Sequence, residues 1–401
     1  MLAFVTEAAF ANGQSVHVDI TLGARDALAD GLLKDFVSDD AVFAALIHGA
    51  MFPDGGYAVH DGYGELAHWE PFQSAWLAHV RETCGSPPYD DVDCKRRAAF
   101  LLGMASHGMA DQFYDATYQD RAARVYDATS DWANASMDEA TDVVYVAEHG
   151  PVDVPDRWLP AEELAPIFGA AVDHEVTPDT LNAGQDLLEV AIAYVALAAA
   201  REDSVATYRA QFPWGTSHLD DATVPGHIGE LSVVVARYWE VLWRRLSGDE
   251  ALDSPVIYTN PAGGFGHAAG SDDVESRVSV VMARGLSQAG FDTSGWRVTD
   301  EDGAERPFSA DLYYRHASHV VNLAPTEGWS ADAAHEVAIP AGMPTFDGAA
   351  LGGPYTFEFS TADAPVPDGP DAPRACGCGG GRQLDWLTVA LAVALTTRRR
   401  Q

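Results

Sequence analysis

The spacing of hydrophobic residues changes near Gly248. Before that point, apolar residues recur every three to four positions in long runs, which is the spacing of helices that bury one face. The clearest helical runs are 100–115, 186–201 and 227–246. After it, the runs become short and rich in β-branched and aromatic residues, which is typical of strands. The pattern predicts a mainly α-helical bundle over residues 12–250 and a small all-β sandwich over 254–362.

The segment 150–182 is rich in proline and acidic residues and has little periodicity. It is predicted to be a surface excursion between two helices of the bundle.

The run FLLGMASHGMADQFYD, residues 100–115, is apolar on nearly every side of a helix. It also carries His107, Asp111 and Asp115 at intervals of four, which places them on one helical stripe. Ionisable groups in a core need partners, and a metal ion is one candidate partner. A hydrogen-bonded core histidine beside two aspartates on a wetter edge is the alternative.

The chain has 401 residues, of which 60 are acidic and 24 basic, so its formal net charge is −36. This charge argues against duplex nucleic acid or an anionic membrane surface as a partner held by electrostatics. The apolar fraction of 47% is enough for a sizeable core.

Residues 1–11, MLAFVTEAAFA, are short and apolar and end in a small-residue motif. They predict a secretory signal peptide with a shortened start, although an ordinary first helix would give a similar pattern. Cys84 and Cys94 flank a turn-rich loop, and in an exported protein they are expected to form a small disulfide-closed loop.

Further histidine and acidic residues precede the helix of His107. His17 lies in an early S-x-H-x-x-I segment, Asp54 in FPDGGY and His68 in HWEPF. Together with the helical H-x-x-x-D, this order over roughly 100 residues resembles the zinc-dependent phospholipase C family. That family includes the catalytic domain of glycosylphosphatidylinositol-specific phospholipase D and, more distantly, the S1/P1 nucleases. The resemblance implies a phospholipase C/P1 nuclease-like helical bundle.

By this resemblance, Asp54, His68, His107 and Asp111 would hold one zinc ion, and His17 with the bridging Asp111 would hold another. Asp54 also matches the family residue proposed as the general base, a catalytic role that would compete with ligation. Imidazole and carboxylate are suitable zinc ligands, and cations that share a carboxylate can both approach one phosphate.

The resemblance also implies a further metal site, formed here by Asp115, Asp138 and Asp142. The first two stand where the family has histidines. Three carboxylates suit Ca²⁺, Mg²⁺ or Mn²⁺ better than Zn²⁺, so two or three sites are expected, one of them for a hard cation. A solvated acidic helix face is the alternative.

The β-rich segment loosely resembles bacterial Ig-like modules and is expected to be an accessory without catalytic residues. Residues 363–375 form a proline-rich linker, and residues 376–401 contain CGCGGG, a short apolar run and three arginines. This last segment resembles the MYXO-CTERM class of sorting tails, which implies membrane contact before processing and display at the cell surface. A plain C-terminal anchor is the alternative.

These features predict an exported metal-dependent phosphodiester hydrolase of phospholipase C type, acting on a phospholipid head group. An S1/P1-like nuclease is the alternative enzyme. A non-catalytic cell-surface protein with a structural metal site is the alternative from another class.

Overall fold

The computed structural model describes residues 13–127, 135–252, 254–261, 266–267, 276–313 and 317–361. The predicted signal peptide, the linker and the sorting tail lie outside the described residues. The described residues belong to one compact unit, which contains both the helical and the β-rich parts.

The first part of this unit is helical, as the hydrophobic spacing predicts. Its α-helices are α1 (Gln14–Ala27), α2 (Leu32–Val37), α3 (Asp40–Met51), α4 (Asp54–Ala58), α5 (Tyr63–Ala67), α6 (Glu70–Cys84), α7 (Val92–Tyr114), α8 (Ala135–His149), α9 (Ala161–Val172), α10 (Pro178–Ala199), α11 (Glu202–Gln211) and α12 (Ile228–Leu246). Two π-helical segments, Asp115–Gln119 and Ala122–Tyr126, continue the chain after α7.

Helix α7 lies at the centre of the helical core. It begins at the N-cap Asp91, whose carboxylate accepts hydrogen bonds from two backbone amides of the first turn. It packs backbone to backbone against α3, since a Cβ at Gly103 would lie 2.1 Å from the carbonyl oxygen of Leu46 and one at Gly49 would lie 2.4 Å from that of Phe100. This close approach brings the carbonyl groups of α3 within reach of side chains on α7.

The second part contains strands β1 (Val256–Asn260), β2 (Gly266–His267), β3 (Val278–Met282), β4 (Arg297–Asp300), β5 (Phe308–Leu312), β6 (Val320–Pro325), β7 (Ala334–Ile339) and β8 (Tyr355–Thr361). They form two four-stranded sheets in the orders β1-β3-β6-β5 and β2-β8-β7-β4. The pairings are antiparallel except for the short β2–β8 pair. A helical part followed by a separate small β part is therefore confirmed.

The prediction of an irregular excursion over 150–182 is wrong in its middle, where α9 forms, and from Pro178, where α10 begins. Pro166 lies inside this helix and, with the acidic residues, hides its periodicity. Leu164 and Phe168 are fully buried, and the ring of Phe168 stacks on that of Phe72 with centroids 3.7 Å apart. Burial of this face outweighs the local cost of the proline.

The predicted disulfide between Cys84 and Cys94 is present. It joins the end of α6 to the first turn of α7.

Within the described part of the chain, no single helix has both the length and the apolar character needed to cross a membrane. Helices α10 and α11 meet those criteria only when taken as a pair, which is bent by 97°.

Candidate metal centre

Five of the predicted ligands converge in the helical core. His17 comes from α1, Asp54 begins α4, His68 directly follows α5, and His107 and Asp111 lie one turn apart on α7. Four separate segments therefore contribute to one cluster of imidazole and carboxylate groups.

The two oxygens of Asp111 face different histidines. Its Oδ1 lies 3.0 Å from Nε2 of His17, whereas its Oδ2 lies 3.1 Å from Nε2 of His68 and 3.4 Å from Nε2 of His107. The Oδ1 atom of Asp54 lies 3.4 Å from Nε2 of His107 and 3.6 Å from Nε2 of His68. A carboxylate with one oxygen on each side of a cluster is placed to bridge two cations.

Backbone carbonyls fix the orientation of two of the rings. Nδ1 of His68 lies 2.6 Å from the carbonyl oxygen of Gly64, and Nδ1 of His107 lies 2.6 Å from that of Ala50. A carbonyl can only accept, so Nδ1 of each ring donates and Nε2 is the nitrogen directed at the cluster, where it would bind a metal ion once deprotonated. This is the usual arrangement of metal-ligating histidines.

The donor atoms fit a divalent metal ion. Nε2 of His17 and of His107, Oδ1 of Asp54 and Oδ1 of Asp111 are buried and complete no hydrogen bond. Buried polar atoms in native proteins are rarely left this way. Because these atoms lie close together and pair histidine nitrogen with carboxylate oxygen, a borderline metal such as zinc would satisfy them.

Within the described residues, two three-membered groups in this cluster have ligand atoms within 4.8 Å of one another: His17, Asp54 and His107, and His68, His107 and Asp111. His107 belongs to both, but its Nε2 offers one lone pair and can bind one ion. Nε2 of His107 lies 3.4 Å from both Asp54 and Asp111, which favours Asp54, His68, His107 and Asp111 as the ligands of one ion. His17 faces the other oxygen of Asp111. A third group, Glu148, His149 and Asp220, lies exposed on the surface.

The carboxylates hold negative charge at neutral pH. Burial opposes ionisation of Asp54, but His107 and His68 lower its pKa to about 2. Burial likewise works against protonation of His107, yet Asp111 and Asp54 raise its pKa to about 9. The low pKa keeps Asp54 ionised, which is the form that holds a cation, and its role as general base stays a prediction.

The cluster reaches solvent on one side. The side chains of His68 and Asp111 are 9% and 11% exposed, while those of His17, Asp54 and His107 are at most 2% exposed. Among the five clustered side chains, His68 and Asp111 are therefore the two most accessible to a small molecule or a phosphate group.

The three aspartates of the predicted further site occupy different environments. Asp115 accepts a hydrogen bond from the hydroxyl of Tyr313, and Asp138 accepts one from Gln119. Asp142 instead accepts from the backbone amides of Ser15 and Val16.

Burial raises the pKa of all three carboxyl groups, that of Asp142 to about 7, and Asp115 further raises the pKa of Asp138. No group of three ligand atoms within 4.8 Å combines these residues in the described part of the chain. The carboxylate triad stays a prediction, and Asp142 has a hydrogen-bonding role that its sequence position did not reveal.

Two neighbours of the cluster were missed from the sequence. Gln14 donates a hydrogen bond to Oδ2 of Asp54; it lies three residues before His17, on the same helical face, which is a signal that could have identified it. Tyr313 comes from the β-rich part of the chain, and no local pattern marks it.

No family model and no curated protein matches the chain. Among solved structures, the crystal structure of the N-terminal part of the bacterial S-layer protein SbsC is 10% identical, with 77% of this chain and 79% of that chain covered and a TM-score of 0.23. The crystal structure of the S-layer protein rSbsC(31-844) is 11% identical, with 78% of this chain covered and a TM-score of 0.23. This chain spans 46% of that one. Scores at this level establish no shared fold.

Proposed function

We propose that this protein is an exported, metal-dependent phosphodiester hydrolase of phospholipase C type. The observation that carries the proposal is the convergence of three histidines and two aspartates around Asp111, whose two oxygens lie 3.0 and 3.1 Å from different histidine nitrogens. A divalent cation held by such a set supplies Lewis acidity and activates water for attack on a phosphodiester.

Different residues of the chain would bind that cation and orient its ligands. His68 and His107 would bind the cation through Nε2. Their rings are held in place because Nδ1 of each is hydrogen-bonded to a backbone carbonyl. Gln14 fixes Asp54 by donating to its Oδ2, which leaves Oδ1 directed at the histidines. His68 and Asp111 keep a small accessible area, and the phosphate of a substrate would approach the centre there.

The finer parts of the proposal concern fold and location. The helical part would belong to the phospholipase C/P1 nuclease class and the two-sheet part would be Ig-like. The signal peptide and the sorting tail would export the protein and display it at the cell surface. Both of these segments lie outside the described residues.

The test is an assay of zinc-loaded protein on phosphatidylcholine, phosphatidylinositol and single-stranded DNA. We expect hydrolysis of a phospholipid, and we expect His68→Ala and Asp111→Ala each to abolish it, since one removes a ligand and the other the bridge. A matched control is His60→Gln, which alters an exposed histidine that belongs to none of the candidate metal-binding groups of the described residues. Wild-type turnover and metal content in both site variants would refute the assignment.

The near-complete burial of three ligands favours a second candidate, a structural metal in a non-catalytic surface protein. This function predicts tight zinc binding, no hydrolysis of any of the three substrates and a large loss of stability when the metal is chelated. Cleavage of single-stranded DNA alone would instead indicate the S1/P1-like activity, although the net charge of −36 opposes binding of a polyanion.

A further inference from the structure

The β-rich part, hereafter the β region (residues 254–361), contacts α7 immediately beyond Asp111. The backbone amide of His319 donates to Oε1 of Gln112 over 2.9 Å. The hydroxyl of Tyr313 donates to Oδ2 of Asp115 over 2.8 Å. Both acceptors lie where the α-helix ends and the π-helical segment begins, and π-helical turns are frequent at functional sites.

The β region also contacts the chain immediately beyond His68. Glu70, two residues later, has no exposed side-chain surface and accepts hydrogen bonds from the guanidinium of Arg284 and the amide of Gly285. The ring of His319 lies 3.4 Å from the same carboxylate. His319 therefore touches both ligand-bearing segments, through its amide at Gln112 and through its ring at Glu70.

These two contacts bear on the metal centre because His68 and Asp111 come from different segments. Their ligand atoms lie 3.1 Å apart, and that distance depends on how the segment after His68 sits relative to α7. A site holds its metal well only when its ligands stay within about 0.5 Å of the required geometry.

We propose that the β region is a structural part of the metal centre. Tyr313 and His319 are positioning residues, which fix the placement of the segment after His68 relative to the end of α7 that follows Asp111. This inference rests on the proposed metal centre. It assigns the β region a structural role at the metal centre, in addition to the accessory role expected from the sequence.

The molecule offers a matched control. Tyr258, also half-buried and in the β region, donates its hydroxyl to a carboxylate of the helical part over the same 2.8 Å. Its acceptor is Glu230 on α12, a helix that carries none of the five clustered ligands. Tyr313→Phe and Tyr258→Phe therefore each remove a hydroxyl that donates to a carboxylate of the helical part. Of these two hydroxyls, that of Tyr313 contacts Asp115 directly after α7, whereas Tyr258 reaches α7 through its ring, which lies edge-on to Phe113 and is kept in Tyr258→Phe.

The experiment loads the full chain with Co²⁺ and records visible d–d absorption and Co²⁺ affinity. We expect Tyr313→Phe to change the spectrum and weaken binding about tenfold or more, the usual effect of losing a partner that orients a ligand. Tyr258→Phe should match the wild type in both readouts. Gln112→Met should also weaken binding, because it removes the oxygen that accepts from the amide of His319.

The outcomes separate this inference from the proposed function. Identical spectra and affinities for wild type, Tyr313→Phe and Gln112→Met would overturn the positioning role and leave the metal centre standing. Equal weakening by Tyr258→Phe would also overturn it, because the effect would then be general destabilisation. A wild-type protein that binds no Co²⁺ would overturn both.

Discussion

At the scale of single residues, the cluster depends on side chains and carbonyls that are not ligands. Gly64 and Ala50 contribute the backbone oxygens that orient His68 and His107. The order and types of the motifs predict the candidate ligands, because these are local features of the sequence. They do not identify these supports, because any residue carries a carbonyl and only the fold decides which one faces a histidine.

Asp142 illustrates the same limit and leads to a prediction. Its carboxylate accepts from two amides at the start of α1, an end that has no side-chain cap of its own. Asp142→Ala should lower the free energy of unfolding by about 1–3 kcal/mol, because two buried donors lose their acceptor. Urea unfolding of the metal-free protein measures this.

Asp142→Asn is the control for this variant, since it keeps an oxygen acceptor and should lose clearly less stability. If the alanine and asparagine variants were equally stable, the capping role would be incorrect.

At the scale of elements, α3 is held to α10 and to the segment that precedes α9 through one buried imidazole. Nδ1 of His48 accepts from the side chain of Gln185 on α10, and its Nε2 donates to the carbonyl of Pro155. The helix pattern predicts α3 and α10 separately, but this connection between them appears only in the folded chain.

His48 gives a prediction about pH. Burial lowers its pKa, and Arg157 acts in the same direction, although the carbonyl of Pro155 and the carboxylate of Glu189 oppose the shift. As pH falls through about 6.5, the His48 imidazole takes up a proton in the unfolded chain at a higher pH than it does in the folded protein. The contribution of neutral His48 to the free energy of unfolding is therefore fully present above that pH. It decreases below that pH, with a slope of at most about 1.4 kcal/mol per pH unit.

The measurement is urea unfolding between pH 7.5 and 5.5 with a chelator present. His48→Gln, which cannot take up the proton, should show a smaller loss of stability on acidification than the wild type does. Parallel profiles for the two proteins would contradict the assignment. His60→Gln, at an exposed position, should leave the slope unchanged.

At the scale of the whole molecule, a buried ionic network joins the helical part to the β region. Glu70 accepts from Arg245 of α12 and from Arg284 of the β region, and all three side chains are at most 7% exposed. Burial works against ionisation of Glu70, but His319 and the two arginines lower its pKa, so it is charged. The two parts should therefore unfold together.

Arg284→Met tests this cooperativity. Removing one partner of a buried charge costs roughly 3–5 kcal/mol, so the variant should be strongly destabilised. Far-UV circular dichroism follows the helices, and tryptophan fluorescence reports in part on Trp296 and Trp329 of the β region. The wild type should give one coincident transition in urea, and the variant should unfold at lower urea.

The control is Arg237→Met, which removes an exposed pair with Glu240 and should change stability by less than about 0.5 kcal/mol. An Arg284→Met protein as stable as this control, or separate wild-type transitions for the two probes, would contradict a single cooperative unit.

The sequence by itself determined the order of helical and β parts, the disulfide and the identity of five clustered candidate ligands. The order of the two parts and the disulfide follow from periodicity, residue type and spacing, which are properties of short stretches of chain. The five candidate ligands follow from the resemblance of four ordered motifs to a known family. The local pattern did not predict α9, where Pro166 hides a helix that packing stabilises. It also did not predict strand β5, Phe308–Leu312.

Only the tertiary structure decided that Asp142 caps α1, that Asp111 faces histidines on both sides, and that Tyr313 and His319 lie beside the cluster. The physical reason is that these contacts join residues up to 207 positions apart. The relative placement of such residues depends on the packing of whole helices against sheets, which no short pattern encodes.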